Sequence, residues 1–290
     1  IVIIFMCLYS TVFYTFNPSA GRYTRDYSTL IGGGYGLACA VTIFSVYLLG
    51  ELLYGKYNDN KKLKWIVIVS ILIMAYTVFK TESTITLIIL IVSYISCYYF
   101  RFKSKLDKHI KIALVPFVII ACFMFLPSLG EWLISISVDR MAETRMFARL
   151  HSMGNLLAYG VENPDAEYSV KRFLIPITTV QTFFKNPIFG VAYKHGCGFY
   201  KPSLYGVGNH CEFPDALANF GIFGGISFLS IYYLQIKDIL KFKKNTNHSI
   251  IWIITIILLG MFNPLKYFDV NFIIFFMIPA IELLRKANDE

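Results

Sequence analysis

Between Pro127 and Pro214 the chain gathers Arg140, Arg145, Arg149, Arg172, His151, His195 and His210 in a polar stretch set inside an otherwise apolar sequence. His210 is the sharpest of these. It stands a few residues before an apolar run that opens near Ala216, and Glu212 and Asp215 follow it. An imidazole there can take a proton from a substrate hydroxyl while a carboxylate fixes its tautomer. The same pattern also fits an interfacial histidine bonded to loop backbone, since one His beside one Asp is a common arrangement. The arginines have a separate logic, because guanidinium stays charged and its forked donors suit phosphate oxygens better than ammonium does. Taken singly, each fits an anchor at anionic headgroups equally well.

The elements that hold these residues are set by composition. Hydrophobic residues make up 56% of the 290 and aromatics 17%, with a mean hydropathy of +0.58, more apolar surface than one soluble core of this size buries. Lipid is the expected solvent. Apolar runs cover about 1–16, 30–49, 65–79, 84–100, 110–126, 216–234, 250–261 and 268–284. The expected fold is therefore all-α, a polytopic integral membrane protein of about eight transmembrane helices. It forms a single membrane domain over 1–290, with one long, partly helical extracytoplasmic loop at 127–215. No internal repeat or low-complexity linker divides it. The chain opens inside an apolar run without Met or a basic leader region, which reads as an N-terminally truncated fragment.

Basic residues of short loops orient such a chain, because they are retained on the cytoplasmic side. Lys56, Lys61, Lys62 and Lys64, then Arg101, Lys103, Lys105, Lys108 and Lys111, then Lys237, Lys241, Lys243 and Lys244, and finally Arg285 and Lys286 occupy alternate loops. The intervening short loops hold only Arg22, Arg25, Lys80 and Lys266. Parity thus places the polar stretch outside the cytoplasm, on the side of Arg22 and Arg25. Arginines outside oppose the positive-inside tendency and need another reason, which an anionic ligand at the outer leaflet supplies. The net charge of +9 is mostly this topological signal, so no nucleic-acid partner is expected.

Local readings follow. Asp139 to Tyr159 lacks Pro and reads as helix, with Arg145 and Arg149 on one face and Arg140 and His151 within about 20° of each other on another. Ser169 is the expected cap of a second helix that Pro176 would bend, and 185–214 reads as an irregular loop rich in Gly, Pro, Asn and Tyr. Gly32, Gly33, Gly34 and Gly36 open a span without a GxxxxGK[ST] phosphate loop, and Gly221 with Gly225 forms a small-xxx-small pair; close helix packing is expected at both. Lys80 and Glu82 share a tight turn and pair with each other, or leave Glu82 facing a substrate. No CxxC or Cys-His spacing marks a metal site, and no cofactor is expected. Cys197 and Cys211 share the polar loop, where a bridge would close a ring of about 15 residues.

Two stretches then carry a resemblance. NPIFGVAYKHG at Asn186 to Gly196 has the form P-[IL]-x-G followed by a glycine turn, and NHCEFPDALANFGIFGG at Asn209 to Gly225 contains H-x4-[DN]-x-L-x-x-x-G-x-x-G running into a membrane helix. These resemble the O-antigen and capsular polysaccharide polymerases and the related O-antigen ligases. The Ser169 to Arg172 segment, GRYTRDYSTLIGGGYGLACA at Gly21 to Ala40 and the FNPLKY segment are also similar to that family. Cys211 departs from it, standing where Ser or Asn usually follows the His.

The resemblance implies a plasma-membrane glycosyltransferase whose donor is a glycan on undecaprenyl diphosphate. Its reaction is metal-independent polymerisation of lipid-linked repeat units into O-antigen or capsule at the outer face. In that reading His210 is the base and Asp215 orients it, while Arg172, Arg22, Arg25, Arg145 and Arg149 bind the diphosphate. The lipid bilayer, a flippase and a chain-length regulator are the implied partners. The alternatives are a ligase passing glycan to another acceptor and a non-catalytic polysaccharide or lipid transporter; the latter would place ionisable residues well inside its spans.

Overall fold

The computed structural model describes residues 7–9, 12, 34–54, 57, 60–81, 83–103, 125–141, 145–192, 206–208, 210–241, 246–266 and 268–289. Arg22, Arg25, Glu82, His195, Cys197, and most of the first and fifth apolar runs lie outside them. Among the described residues the regular structure is helical and there is no strand. The helices are α1 (Gly34–Leu53), α2 (Lys61–Lys80), α3 (Thr84–Lys103), α4 (125–137), α5 (Arg145–Tyr159), α6 (Glu167–Lys185), α7 (Glu212–Lys241), α8 (Thr246–Phe262), α9 (Phe268–Phe272) and α10 (Ile278–Asp289). A π-helical turn, Ile273–Met277, joins the last two.

α1 is apolar on every face, and a helix of that kind belongs in the interior. It is wrapped by α2, α3, α8 and α9, and Ala38, Cys39, Ile43 and Tyr47 are almost fully buried. α2 is one-sided. Val67, Ser70, Ile71, Met74 and Val78 form a buried stripe at helical spacing, whereas Ile66, Val69, Leu72, Tyr76 and Phe79 are exposed. Asn60 caps its start, the side chain accepting from Leu63 N–H at 3.1 Å. Exposed apolar side chains over a whole helix face fit contact with lipid rather than water. Three helices, Gly36–Leu53, Lys61–Lys80 and Glu212–Leu240, are long and apolar enough to cross a membrane, and Thr84–Tyr99 and Ile250–Phe262 are shorter apolar helices.

Polar contacts cross the bundle where helices meet. Ser93 and Thr255 join α3 to α8 at 2.8 Å, and Tyr47 on α1 donates to Glu282 on α10 at 2.7 Å. Tyr232 on α7 donates to Asn271 on α9 at 3.2 Å. Hydroxyl and amide groups at such positions tie apolar helices together when lipid supplies no hydrophobic drive between them.

The polar stretch departs from its sequence reading in three places. Val138–Arg140 is a 3-10 turn before α5 starts at Arg145, so Arg140 and His151 do not share a helix face. Ser169 lies inside α6, preceded by the turn Pro164–Ala166 that Asn163 caps by accepting from Asp165 N–H at 2.9 Å. α7 begins at Glu212 rather than Ala216, with Pro214 in its first turn, where a missing N–H costs nothing.

The largest departure is at Gly221. This residue has φ +66° and ψ −167°, which breaks α7 into two helices. The break is sealed by the Asn186–Ala192 turn: Val191 N–H and Ala192 N–H donate at 2.9 Å to the carbonyls of Ala218 and Asn219, and Ile222 N–H donates to Pro187 at 2.7 Å. The orphan carbonyls of one half-helix and a free N–H of the next are thereby satisfied. Gly190, at φ +66°, meets the same crossing, and a Cβ on it would collide with the Asn219 backbone, as one on Gly221 would with Ile188. Gly225 faces Leu217 of its own broken helix. Gly221, read as half of a packing pair between helices, is thus part of a backbone lock between the Asn186–Ala192 turn and α7.

Candidate functional site

Arg149 and Arg172 reach one cleft because α5 and α6 cross at a serine pair. Ser169 N–H donates to Ser152 Oγ at 3.1 Å, and both serines are buried. Arg149 and Met153 flank Ser152 on α5, while Arg172 and Phe173 follow Ser169 by one turn on α6, so both helices turn the same stripe inward. The resulting cleft of about 40 Å³ is lined by Arg149, Met153, Tyr168, Ser169, Arg172 and Phe173, by Ser83, Thr84 and Ile85 at the start of α3, and by Asn263 after α8. Three segments distant in sequence therefore meet at one end of the bundle. Arg149 also lies over the Tyr168 ring, 5.5 Å from its centroid. Among the described residues Lys171 pairs with Glu167, whereas Arg172 has no carboxylate within ion-pair range. Pro176 removes the N–H that would bond the Arg172 carbonyl one turn back.

His210 is brought alongside by a ladder of threonines on α6. Thr182 Oγ accepts from Gly206 N–H at 2.8 Å and donates back to the Gly206 carbonyl at 2.9 Å. Thr179 Oγ accepts from Gly208 N–H at 3.1 Å and donates to Asp215 Oδ1 at 3.3 Å. Arg172, Ile175, Thr179 and Thr182 fall at i, i+3, i+7 and i+10, one face of α6. The helix that carries the arginine thus also seats the histidine loop.

The carboxylates after His210 have defined work. Asp215 Oδ2 accepts from Cys211 N–H at 2.9 Å, a reach back to the helix start that closes the first turn of α7. Glu212 accepts from the N–H groups of Leu265 and Lys266 at 2.9 and 3.1 Å, fastening the 263–266 turn beside the loop. The His210 imidazole is pushed down to about 4, first by burial and then by the positive charges of Arg172 and Lys266. At neutral pH it is uncharged.

Of the other sequence candidates, Arg140 stacks on Phe147, 4.3 Å from the ring centroid, and is not among the residues that line the cleft. The Arg145 side chain lies outside the described residues, as do Arg22 and Arg25. His151 buries its Nδ1 without a hydrogen-bond partner, and its carbonyl accepts from Asn155 at 3.0 Å. Cys211 is buried, and Cys197, the other half of the bridge considered from the sequence, lies outside the described residues. Lys80 lies over the Tyr76 ring at 5.6 Å. Among the described residues no three His, Cys, Asp or Glu side chains converge as a metal site. Sequence reasoning missed Ser83, Thr84, Asn263, Thr179 and Thr182. Only the threonines left a signal, a helical repeat in step with Arg172.

No protein-family model, curated protein or solved structure matches the chain. Among the described residues the protein is all-helical, with three helices able to cross a membrane and a cationic cleft at one end of the bundle.

Proposed function

We propose that the chain is a membrane glycosyltransferase that polymerises undecaprenyl-diphosphate-linked oligosaccharide repeat units into a surface polysaccharide at the outer face of the plasma membrane. The observation that carries this reading is the juxtaposition of Arg149 and Arg172 in one cleft, together with a half-buried His210 that burial and the charges of Arg172 and Lys266 keep neutral. A diphosphate bridges guanidinium groups well, and it is a leaving group that needs charge stabilisation more than protonation. In the reaction the acceptor hydroxyl oxygen bonds to the anomeric carbon of the donor as the bond to the diphosphate oxygen breaks. The hydroxyl proton passes to His210, and the electron pair leaves with the diphosphate, facing Arg149 and Arg172.

The low basicity of His210 fits this order of events. A bound diphosphate offsets the charges of Arg172 and Lys266, so the imidazole becomes a better base only when the donor is in place. Asp215, bonded to Cys211 and Thr179, holds the loop that presents His210. The test is to express His210→Ala and Arg172→Ala in the native cell and to measure surface glycan length. Long chains from both membrane-inserted variants would sink the reading; short or single-unit glycan is the expected result.

A further inference from the structure

The cleft is also lined, from outside α5 and α6, by polar groups that the anion does not use. Asn263 is fully buried, its Nδ2 donating to Thr86 Oγ at 3.4 Å, and its Oδ1 has no hydrogen-bond partner. Thr84 is 6% exposed and its Oγ is likewise without one. Both residues line the cleft. A buried acceptor left unsatisfied costs on the order of 1–3 kcal/mol, which is recovered when a ligand supplies the missing donor. Thr84 is also the first residue of α3, a 20-residue helix whose positive end opens on the same space. Ser83 is already engaged with Thr86 at 2.7 Å, so these two atoms are the ones left for a ligand.

A ligand that satisfies this wall and the arginines together carries a phosphate and, close to it, a free hydroxyl. The hydroxyl donates to Asn263 Oδ1 and exchanges a hydrogen bond with Thr84 Oγ, while the phosphate faces Arg149, Arg172 and the α3 terminus. We infer that Asn263 and Thr84 are specificity-determining residues that read a hydroxyl of the sugar attached to the diphosphate, so that the cleft distinguishes a glycosylated lipid diphosphate from the bare one. This rests on the glycosyl-transfer reading and adds to it a reason why spent carrier lipid leaves the site. Sites built to bond a hydroxyl reject the analogue without it, because their own buried groups are then stranded.

The experiment uses the full chain in phosphatidylcholine nanodiscs and two probes, farnesyl diphosphate and farnesyl diphosphate bearing one N-acetylhexosamine. Wild type is expected to bind the sugar-bearing probe about tenfold more tightly, the effect of one or two hydrogen bonds. Thr84→Val, which keeps the side-chain shape, and Asn263→Leu are expected to reduce that ratio to near unity without weakening the bare probe. Equal affinity for the two probes in wild type, or a ratio retained in both variants, overturns the inference and leaves the polymerase reading standing. Failure of wild type to bind either probe sinks both. Phosphatidylglycerol carries a phosphate and a diol as well, so it is added to the nanodiscs as a competitor. Displacement of the sugar-bearing probe that depends on Thr84 would reassign the hydroxyl to a lipid headgroup and overturn the glycan assignment.

Discussion

The two halves of the polar stretch use the same residue type for opposite ends. Before α5, Arg140 sits in an exposed 3-10 turn and lays its guanidinium on Phe147. On α6, Arg172 lines a cleft, lacks a carboxylate among the described residues and acts electrostatically on His210. What separates them is the partner each is given. Arg140, stacked on a ring outside the cleft lining, braces its own segment, whereas Arg172, facing the cleft with no carboxylate among the described residues, holds its charge for a ligand.

The sharpest way to break that contrast is to exchange the arginines for alanine one at a time. Arg172→Ala is expected to slow glycan transfer by about 10²–10³-fold, the usual cost of removing a group that stabilises developing charge. Transfer of radiolabelled repeat units in membranes measures it, and a loss below about fivefold would place Arg172 with Arg140. Next in size is the lock between the two segments. Gly221→Ala forces a left-handed φ on a side chain that meets the Ile188 backbone, and should cost about 2 kcal/mol or more. Thermal unfolding in detergent reads this, while Gly224→Ala, which meets only the Phe220 side chain, serves as the milder neighbour.

A third measurement follows the charge of His210. Because its value is lowered to about 4, kcat/KM should stay level from pH 8 to near pH 5 and fall as the pH nears 4. The sign for stability is the same: the folded state binds fewer protons than an unfolded chain with an ordinary histidine. The contribution is therefore whole above the ordinary value of about 6.5 and is lost as pH falls from there through 4. Removing one of the two charges by Arg172→Gln should raise the imidazole value, read by titrating its NMR signal. An unchanged value would mean that burial and Lys266 set it without Arg172. The smallest effect belongs to Arg140→Ala, which should leave transfer within about twofold and cost roughly 0.5–1 kcal/mol of stability, the worth of an exposed cation–ring contact.

The apolar runs were legible because lipid-facing and buried helices alike need uninterrupted apolar length. The runs at 30–49, 65–79, 84–100 and 250–261 correspond to α1, α2, α3 and α8. Arg149, Arg172, His210 and Asp215 were also legible as residue types worth watching. Less visible were the residues that work through backbone or burial. Gly221 looked like a packing glycine since its spacing to Gly225 matched one, and only its dihedral shows the break. Ser169 looked like a cap since it preceded a helical pattern, yet its N–H serves the crossing with Ser152.

By itself, then, the sequence determined an all-helical chain with apolar helices long enough to span a membrane and one arginine- and histidine-bearing stretch between them. Those properties follow from composition and period, which act locally along the chain. Which arginine faces a cleft, which histidine is held neutral and which buried oxygens lack a partner were decided by tertiary structure. Each depends on segments as far apart as Thr84, Arg172, His210 and Asn263 meeting at one end of the bundle, and charge, burial and hydrogen bonding act through space rather than along the chain.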